Sequence, residues 1–139
     1  MIDNTYAGSN IALIIGENVV VYKRDDIPTI PFPGFWDLPG GGCEGDETPE
    51  ECALRELQEE LSIDLDIGRI IWKRRFDGQR DDGLAAYFFV AKLRCEELGA
   101  IRLGDEGQFW DMMPIEEYLS SDRAIPVLKI RLKAYMDDQ

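Results

Sequence analysis

The sequence predicts a mixed α/β (α+β) fold, and three observations carry that prediction. Short β-branched runs recur along the chain with Gly-, Asn- and Asp-rich turns between them. A helix with a full set of start signals interrupts them at Thr48. A second amphipathic stretch, Ala124 to Met136, carries Pro126 in its first turn. A length of 139 residues fits one domain over 1–139, and 45% hydrophobic residues suffice for a real core.

Taken in order, Ile11 to Ile15 and Val19 to Tyr22 are strands joined through Gly16-Glu17-Asn18 as a hairpin, and Lys23-Arg24 closes the second. Asp25 to Gly34 holds Pro28, Pro31 and Pro33 and reads as a loop, with Phe32, Phe35 and Trp36 at its end. Trp36-Asp37-Leu38 forms a short strand that delivers the chain into a glycine-rich loop, Pro39 to Gly42. Thr48 caps the helix, Pro49 suits its first position, and Glu51 completes a capping box. Ala53, Leu54, Leu57 and Leu61 give that helix a core face.

Further on, Arg69 to Phe76 reads as a strand whose Lys73, Arg74 and Arg75 suit a solvated face or a phosphate contact about equally. Asp77 to Gly83 is a polar turn, and Leu84 to Leu93 an apolar strand that completes a hairpin. Cys95 to Gly107 is acidic and irregular. Phe109 to Met113 forms a final strand and Ile115 to Leu119 a short helix. In the last helix Val127, Ile130, Leu132 and Tyr135 read as packing residues.

Composition narrows the chemistry. The chain has no histidine, which removes Ser-His triads and imidazole ligands and leaves carboxylates as the main source of a general base. A formal charge of −13 disfavours nucleic acid polymers, whose binding relies on Lys and Arg replacing counterions. Cys43, Cys52 and Cys95 form no C-x-x-C pair and leave one over in any pairing, which argues against zinc and for a reducing compartment, most simply the cytoplasm. No apolar run has the length of a membrane span, and Met1 to Asn10 is too polar for a signal peptide.

Glu56, Glu59 and Glu60 stand at i, i+3 and i+4, so they share one face of the capped helix. Like charges this close oppose helix formation and each other's ionisation, and a divalent cation resolves the conflict. Oxygen-only ligands suit Mg²⁺ or Mn²⁺. With these glutamates, Gly41, Glu47, Arg55, Leu57 and Ile63 match the pattern G-x5-E-x7-R-E-U-x-E-E-x-G-U, where U is a bulky aliphatic residue. On this stretch the chain resembles the Nudix hydrolases, in their MutT-like branch, with Ser62 in place of the usual glycine.

The resemblance implies an α/β/α sandwich around a mixed β-sheet and a metal-dependent hydrolase that cleaves the pyrophosphate linkage of a nucleoside diphosphate bound to a group X. It implies metal ligands at Glu56, Glu59 and Glu60, with the Gly40 carbonyl and the loop residue Glu106 beside them. Gly41 would let the backbone approach the phosphates, and Arg24 stands where MutT-like enzymes carry a phosphate-binding arginine. Glu56, Glu59, Glu106 and Arg55 form the implied catalytic set. Within it Arg55 pairs with Glu47 to orient the helix, and Glu106 serves as ligand or base. Ser62 can occupy the left-handed turn at a cost of roughly 1 kcal/mol, or the helix ends one residue earlier or later.

The leading substrate is a nucleoside triphosphate, canonical in base or modified, cleaved to monophosphate and pyrophosphate by a monomer or homodimer. Ala124-Ile125-Pro126-Val127 aligns where MutT-like enzymes place an asparagine that reads an oxidised guanine, and the segment has none. Gly78, Gln79 and Arg80 match neither ADP-ribose nor dinucleoside-polyphosphate relatives, so those diphosphates remain alternatives. A Nudix-fold sensor that binds nucleotides without cleaving them is disfavoured because every box glutamate is present. The acidic balance counts against an RNA-directed hydrolase.

Overall fold

The computed structural model describes residues 5–139. The first part of the polar Met1-to-Asn10 stretch lies outside the described residues. Alternation in the first strand organises the sheet. Along β1 (Tyr6–Ile15), Ala12 and Ile14 face one core while Ile11 and Leu13 face another. β2 (Asn18–Lys23) returns antiparallel through a turn at Gly16, whose φ of +58° suits glycine.

β3 (Trp36–Asp37) and β7 (Phe109–Pro114) pair with β2. β6 (Ala85–Lys92) runs parallel to β1, and β5 (Ile70–Phe76) runs antiparallel to β6. The seven-stranded sheet is therefore mixed, with the path β3-β2-β1-β6-β5. Helix α1 (Pro49–Leu61) packs Ala53, Leu57 and Leu61 on the Ile11 face. Helices α2 (Ile115–Ser120) and α3 (Pro126–Asp137) cover the opposite face with Tyr118, Leu128, Leu132 and Tyr135. That is the expected sandwich. Leu57 and Leu61 are fully buried, so truncating either to alanine costs about 2–5 kcal/mol.

Three expectations change. Gly40–Gly42 is not a loop but a strand, β4, paired antiparallel with β1 through Gly8, Ser9 and Asn10. A Cβ on Gly40 would stand 2.3 Å from the Ser9 carbonyl oxygen, so only glycine allows this approach. Ile130 is more than half exposed, and its place on the inner face of α3 is taken by Arg131, only 5% exposed. Cys43 and Cys52 form a disulfide, because the loop after β4 doubles back onto the first turn of α1 and brings their Cα atoms to 5.1 Å. The argument for a reducing compartment falls with it. Among the described residues no helix is long and apolar enough to cross a membrane.

Candidate active site

The helix that carries the glutamates is fixed at both ends. The Glu51 amide donates to Thr48 Oγ1 (3.1 Å) and the Thr48 amide to Glu51 Oε1 (2.8 Å), closing the capping box. At the far end Ser62 adopts φ +61°, donates its amide to the Gln58 carbonyl and its hydroxyl to the Arg102 carbonyl at 2.8 Å. The expected left-handed turn is present, and the serine gains a bond that glycine lacks.

Between these ends, Glu56, Glu59 and Glu60 line one cavity of about 290 Å³ together with Gly104, Asp105 and Glu106. The structure thus brings Glu106 from a distant loop to the helix glutamates. Hydrogen bonds from Gly104, Gly107 and Gln108 hold that loop. The Gly104 amide donates to the Glu60 carbonyl, and a Cβ at Gly104 would fall 2.1 Å from the Glu59 carbonyl oxygen. Gly107, at φ +91°, donates to Asp25 Oδ2, while the Gln108 side chain donates to the Arg24 carbonyl. Close backbone approach requires glycine at 104, and the left-handed φ favours it at 107.

Glu60 is the most perturbed of the glutamates. The Gly40 amide donates to its Oε1 at 3.3 Å, while its buried Oε2 has no hydrogen-bond partner among the described residues. Burial pushes its carboxyl up to about 9, with Glu56 and Asp37 adding to the rise. A buried carboxylate oxygen without a donor is costly, and a cation in the cavity would satisfy it. Gly41 lies directly against Glu56, since a Cβ there would stand 2.8 Å from the carboxylate carbon. Among the described residues no three carboxylates or thiolates already converge as a closed cage. Glu56 lies within hydrogen-bond reach of Glu60, one of the reasons the Glu60 carboxyl is raised.

Arg55 holds them in place. Its Nε donates to Glu47 Oε2 (2.7 Å) and Nη2 to Glu47 Oε1 (3.1 Å), a two-pronged pair. Nη1 reaches Glu56 Oε1 (3.1 Å) and Glu59 Oε2 (3.0 Å), and Nη2 also reaches the Gly42 carbonyl. The paired guanidinium holds the Glu47 carboxyl below its usual range, and Glu47 in turn raises Arg55. Lysine has no fork that could make these contacts.

Arg24 lies at the edge of a neighbouring pocket lined by Tyr22, Asp25 and Glu106, so the predicted phosphate ligand and the loop glutamate border the same space. Its Nη1 bonds Asp37 Oδ2 at 2.8 Å, and Tyr22 donates to the same oxygen. Asp37 is buried, and burial raises its carboxyl against the opposing pull of Arg24. The basic run in β5 takes the solvated alternative: Lys73 pairs with Glu50, Arg74 lies over Trp72, and Arg75 bonds Asp77.

Sequence reasoning missed Asp37, the disulfide and Arg131. Asp37 offered a faint signal, an acid alternating with apolar neighbours in a short strand. Arg131 offered a better one, since Leu128, Arg131, Leu132 and Tyr135 follow the i, i+3, i+4, i+7 spacing of a buried stripe.

The sequence pattern of the NUDIX domain matches residues 6–133. The chain belongs to the Nudix family. A 31% identical Nudix hydrolase of unassigned activity from Rhodococcus erythropolis aligns over 73% of this chain and 58% of its own length. An 8-oxo-dGTP diphosphatase from Proteus vulgaris is 62% identical, but over only 23% of this chain and 29% of its own. These alignments span less than two thirds of the curated relatives. A MutT Nudix hydrolase from Burkholderia pseudomallei superposes with a TM-score of 0.68 at 22% identity over 91% of this chain and 94% of its own. A MutT protein from Methanosarcina mazei gives 0.70 at 17% over 99% and 98%. Both establish the fold. Nudix hydrolases use divalent metal ions and act on nucleotide-like diphosphates.

Proposed function

We propose that this Nudix chain is a Mg²⁺-dependent pyrophosphohydrolase, with Mn²⁺ as a substitute ion, that cleaves a nucleoside triphosphate to monophosphate and pyrophosphate. The observation that carries the reading is the unpartnered, buried Oε2 of Glu60 in a cavity shared with Glu56, Glu59 and Glu106. Glu56, Glu59, Glu60 and the Gly40 carbonyl would hold the cation, with Glu106 left as the base. The cation supplies positive charge that offsets the diphosphate and favours attack by water.

The chain's own residues do the rest. Arg55 fixes the carboxylates Glu56 and Glu59 in position. The flat backbone at Gly41 lets phosphate oxygens approach, and Arg24 contributes positive charge at the adjoining pocket. Glu106 is exposed and borders both spaces, so it accepts the proton as the water oxygen bonds phosphorus and the bridging P–O bond breaks. The bridging oxygen keeps the bond's electron pair and leaves on the nucleoside monophosphate or on pyrophosphate, according to which phosphorus the water attacks.

The test is the formation of nucleoside monophosphate, with pyrophosphate where the substrate is a triphosphate, from canonical and oxidised nucleoside triphosphates, ADP-ribose, nucleotide sugars and dinucleoside polyphosphates, with Mg²⁺ and with EDTA. Turnover of a triphosphate that EDTA abolishes is the expected result. Binding without turnover across the whole panel would replace this reading with that of a nucleotide sensor.

A further inference from the structure

Beside the acidic cavity lies a second cleft of about 440 Å³ with the opposite character. Gly8, Asn10, Arg24, Phe32, Arg80 and Arg131 line it, and Gly41 and Gly42 border it too, so it adjoins the proposed diphosphate site. In a chain of net charge −13, three arginines face this one space.

Two of the three have carboxylate partners. Arg24 pairs with Asp37 and Arg80 with Asp82. Arg131 pairs with none among the described residues, although it is the most buried of them, at 5% exposed. Its Nε donates to Gln79 Oε1 at 2.8 Å and its Nη1 contacts Asn10 Oδ1 at 3.4 Å, both neutral amides. Its guanidinium also lies 5.8 Å from the Phe76 ring centroid. These contacts orient the group without neutralising it, and among the described residues Nη2 has no hydrogen-bond partner.

Burying a cation with no counter-charge opposes folding, and a neighbouring like charge makes it worse. Burial and the Arg80 charge pull the Arg131 guanidinium down to about 10, which leaves it cationic at neutral pH. A core position would be filled better by methionine or leucine. The arrangement suits a site whose missing partner arrives with a ligand.

We propose that Arg131, with Arg80 beside it, receives an anionic group of the substrate that lies beyond the scissile diphosphate. A phosphate monoester or a carboxylate would complete the charge and accept from Nη2, whereas a neutral base carbonyl would leave the cation uncompensated. The identification of that group as part of a substrate rests on the pyrophosphohydrolase reading. The substrate class is then a nucleotide with a second anionic substituent on its sugar or base.

Binding without turnover tests this. Titration calorimetry at fixed salt and Mg²⁺ compares adenosine 5′-monophosphate with its 2′,5′- and 3′,5′-bisphosphates, and uridine with orotidine 5′-monophosphate. These ligands have no diphosphate to cleave. The wild-type protein is expected to bind the additional-anion member of at least one pair about fivefold tighter or more. The phosphate pairs and the carboxylate pair separate the two sources. Arg131→Met is expected to abolish the gap, and Arg131→Lys, which keeps the charge, covers a folding failure of Arg131→Met by retaining part of it. A smaller gap in every wild-type pair overturns the proposal, as does a gap that survives in Arg131→Met. Pyrophosphate affinity falling as far as bisphosphate affinity in that variant overturns it too, by placing Arg131 on the scissile diphosphate. Hydrolysis of triphosphates, measured separately, decides the functional reading.

Discussion

The acidic cavity and the arginine-lined cleft differ in how they are made. The acidic one takes Glu56, Glu59 and Glu60 from successive turns of one helix. The arginine-lined one draws Asn10, Arg24, Arg80 and Arg131 from four separate parts of the chain. Gly41 lies between them, pressed against the Glu56 carboxylate and bordering the arginine cleft. Chemistry common to a family can be written in one short segment, because one helix face suffices to position it. Recognition of the rest of the substrate is assembled from long-range contacts.

The strongest way to test that division is to remove one acidic charge at a time. Glu56→Gln and Glu60→Gln keep side-chain shape while removing a charge, so hydrolysis should fall by about 10³-fold in each while the fold persists. Rates equal to wild type in both would remove the site assignment. Arg55→Lys comes next. It loses the contacts to Glu47 and the Gly42 carbonyl while keeping one positive charge. Supporting groups of this kind are worth about 10–100-fold, so that is the expected loss in kcat, with an unchanged melting curve as the control. An unaltered kcat would show that Arg55 does not position the carboxylates.

A third, smaller effect concerns pH. Without metal, the Glu60 carboxyl stands at about 9 against about 4.3 for an ordinary glutamate. A raised carboxyl contributes stability that is fully present below its ordinary value and is lost as pH climbs toward its folded value. In EDTA the melting temperature should therefore decline from pH 5 to pH 9, more steeply in wild type than in Glu60→Gln. Parallel curves would show that Glu60 is ionised throughout. Mg²⁺ should flatten the wild-type curve, since it favours the charged form.

The same contrast explains what was legible before the structure. The capping box, the shared glutamate face and the hairpin at Gly16 are local patterns, and each is present as read. The strand at Gly40–Gly42 was not legible, because glycine triplets signal loops unless a neighbouring backbone is known to be close. Arg131 was not singled out, because the buried stripe it falls on does not by itself announce that Asn10 and Gln79 will contact its guanidinium. The disulfide escaped for the same reason, as Cys43 and Cys52 meet only once the loop folds back.

Ser62 separates the two kinds of information within one residue. Its left-handed backbone costs roughly 1 kcal/mol relative to glycine. Its hydroxyl bond to the Arg102 carbonyl returns about the same amount and ties the helix end to the chain leading into Gly104. Ser62→Gly should therefore leave the melting temperature within about 2 °C and the rate within about twofold of wild type. Ser62→Ala keeps the backbone penalty and loses the bond, so it should be destabilised by about 1 kcal/mol with hydrolysis retained. The glycine of the family pattern and the serine of this chain are then alternative solutions to one helix end. A large rate gain in Ser62→Gly would instead mean that this helix end limits how the acidic cavity works.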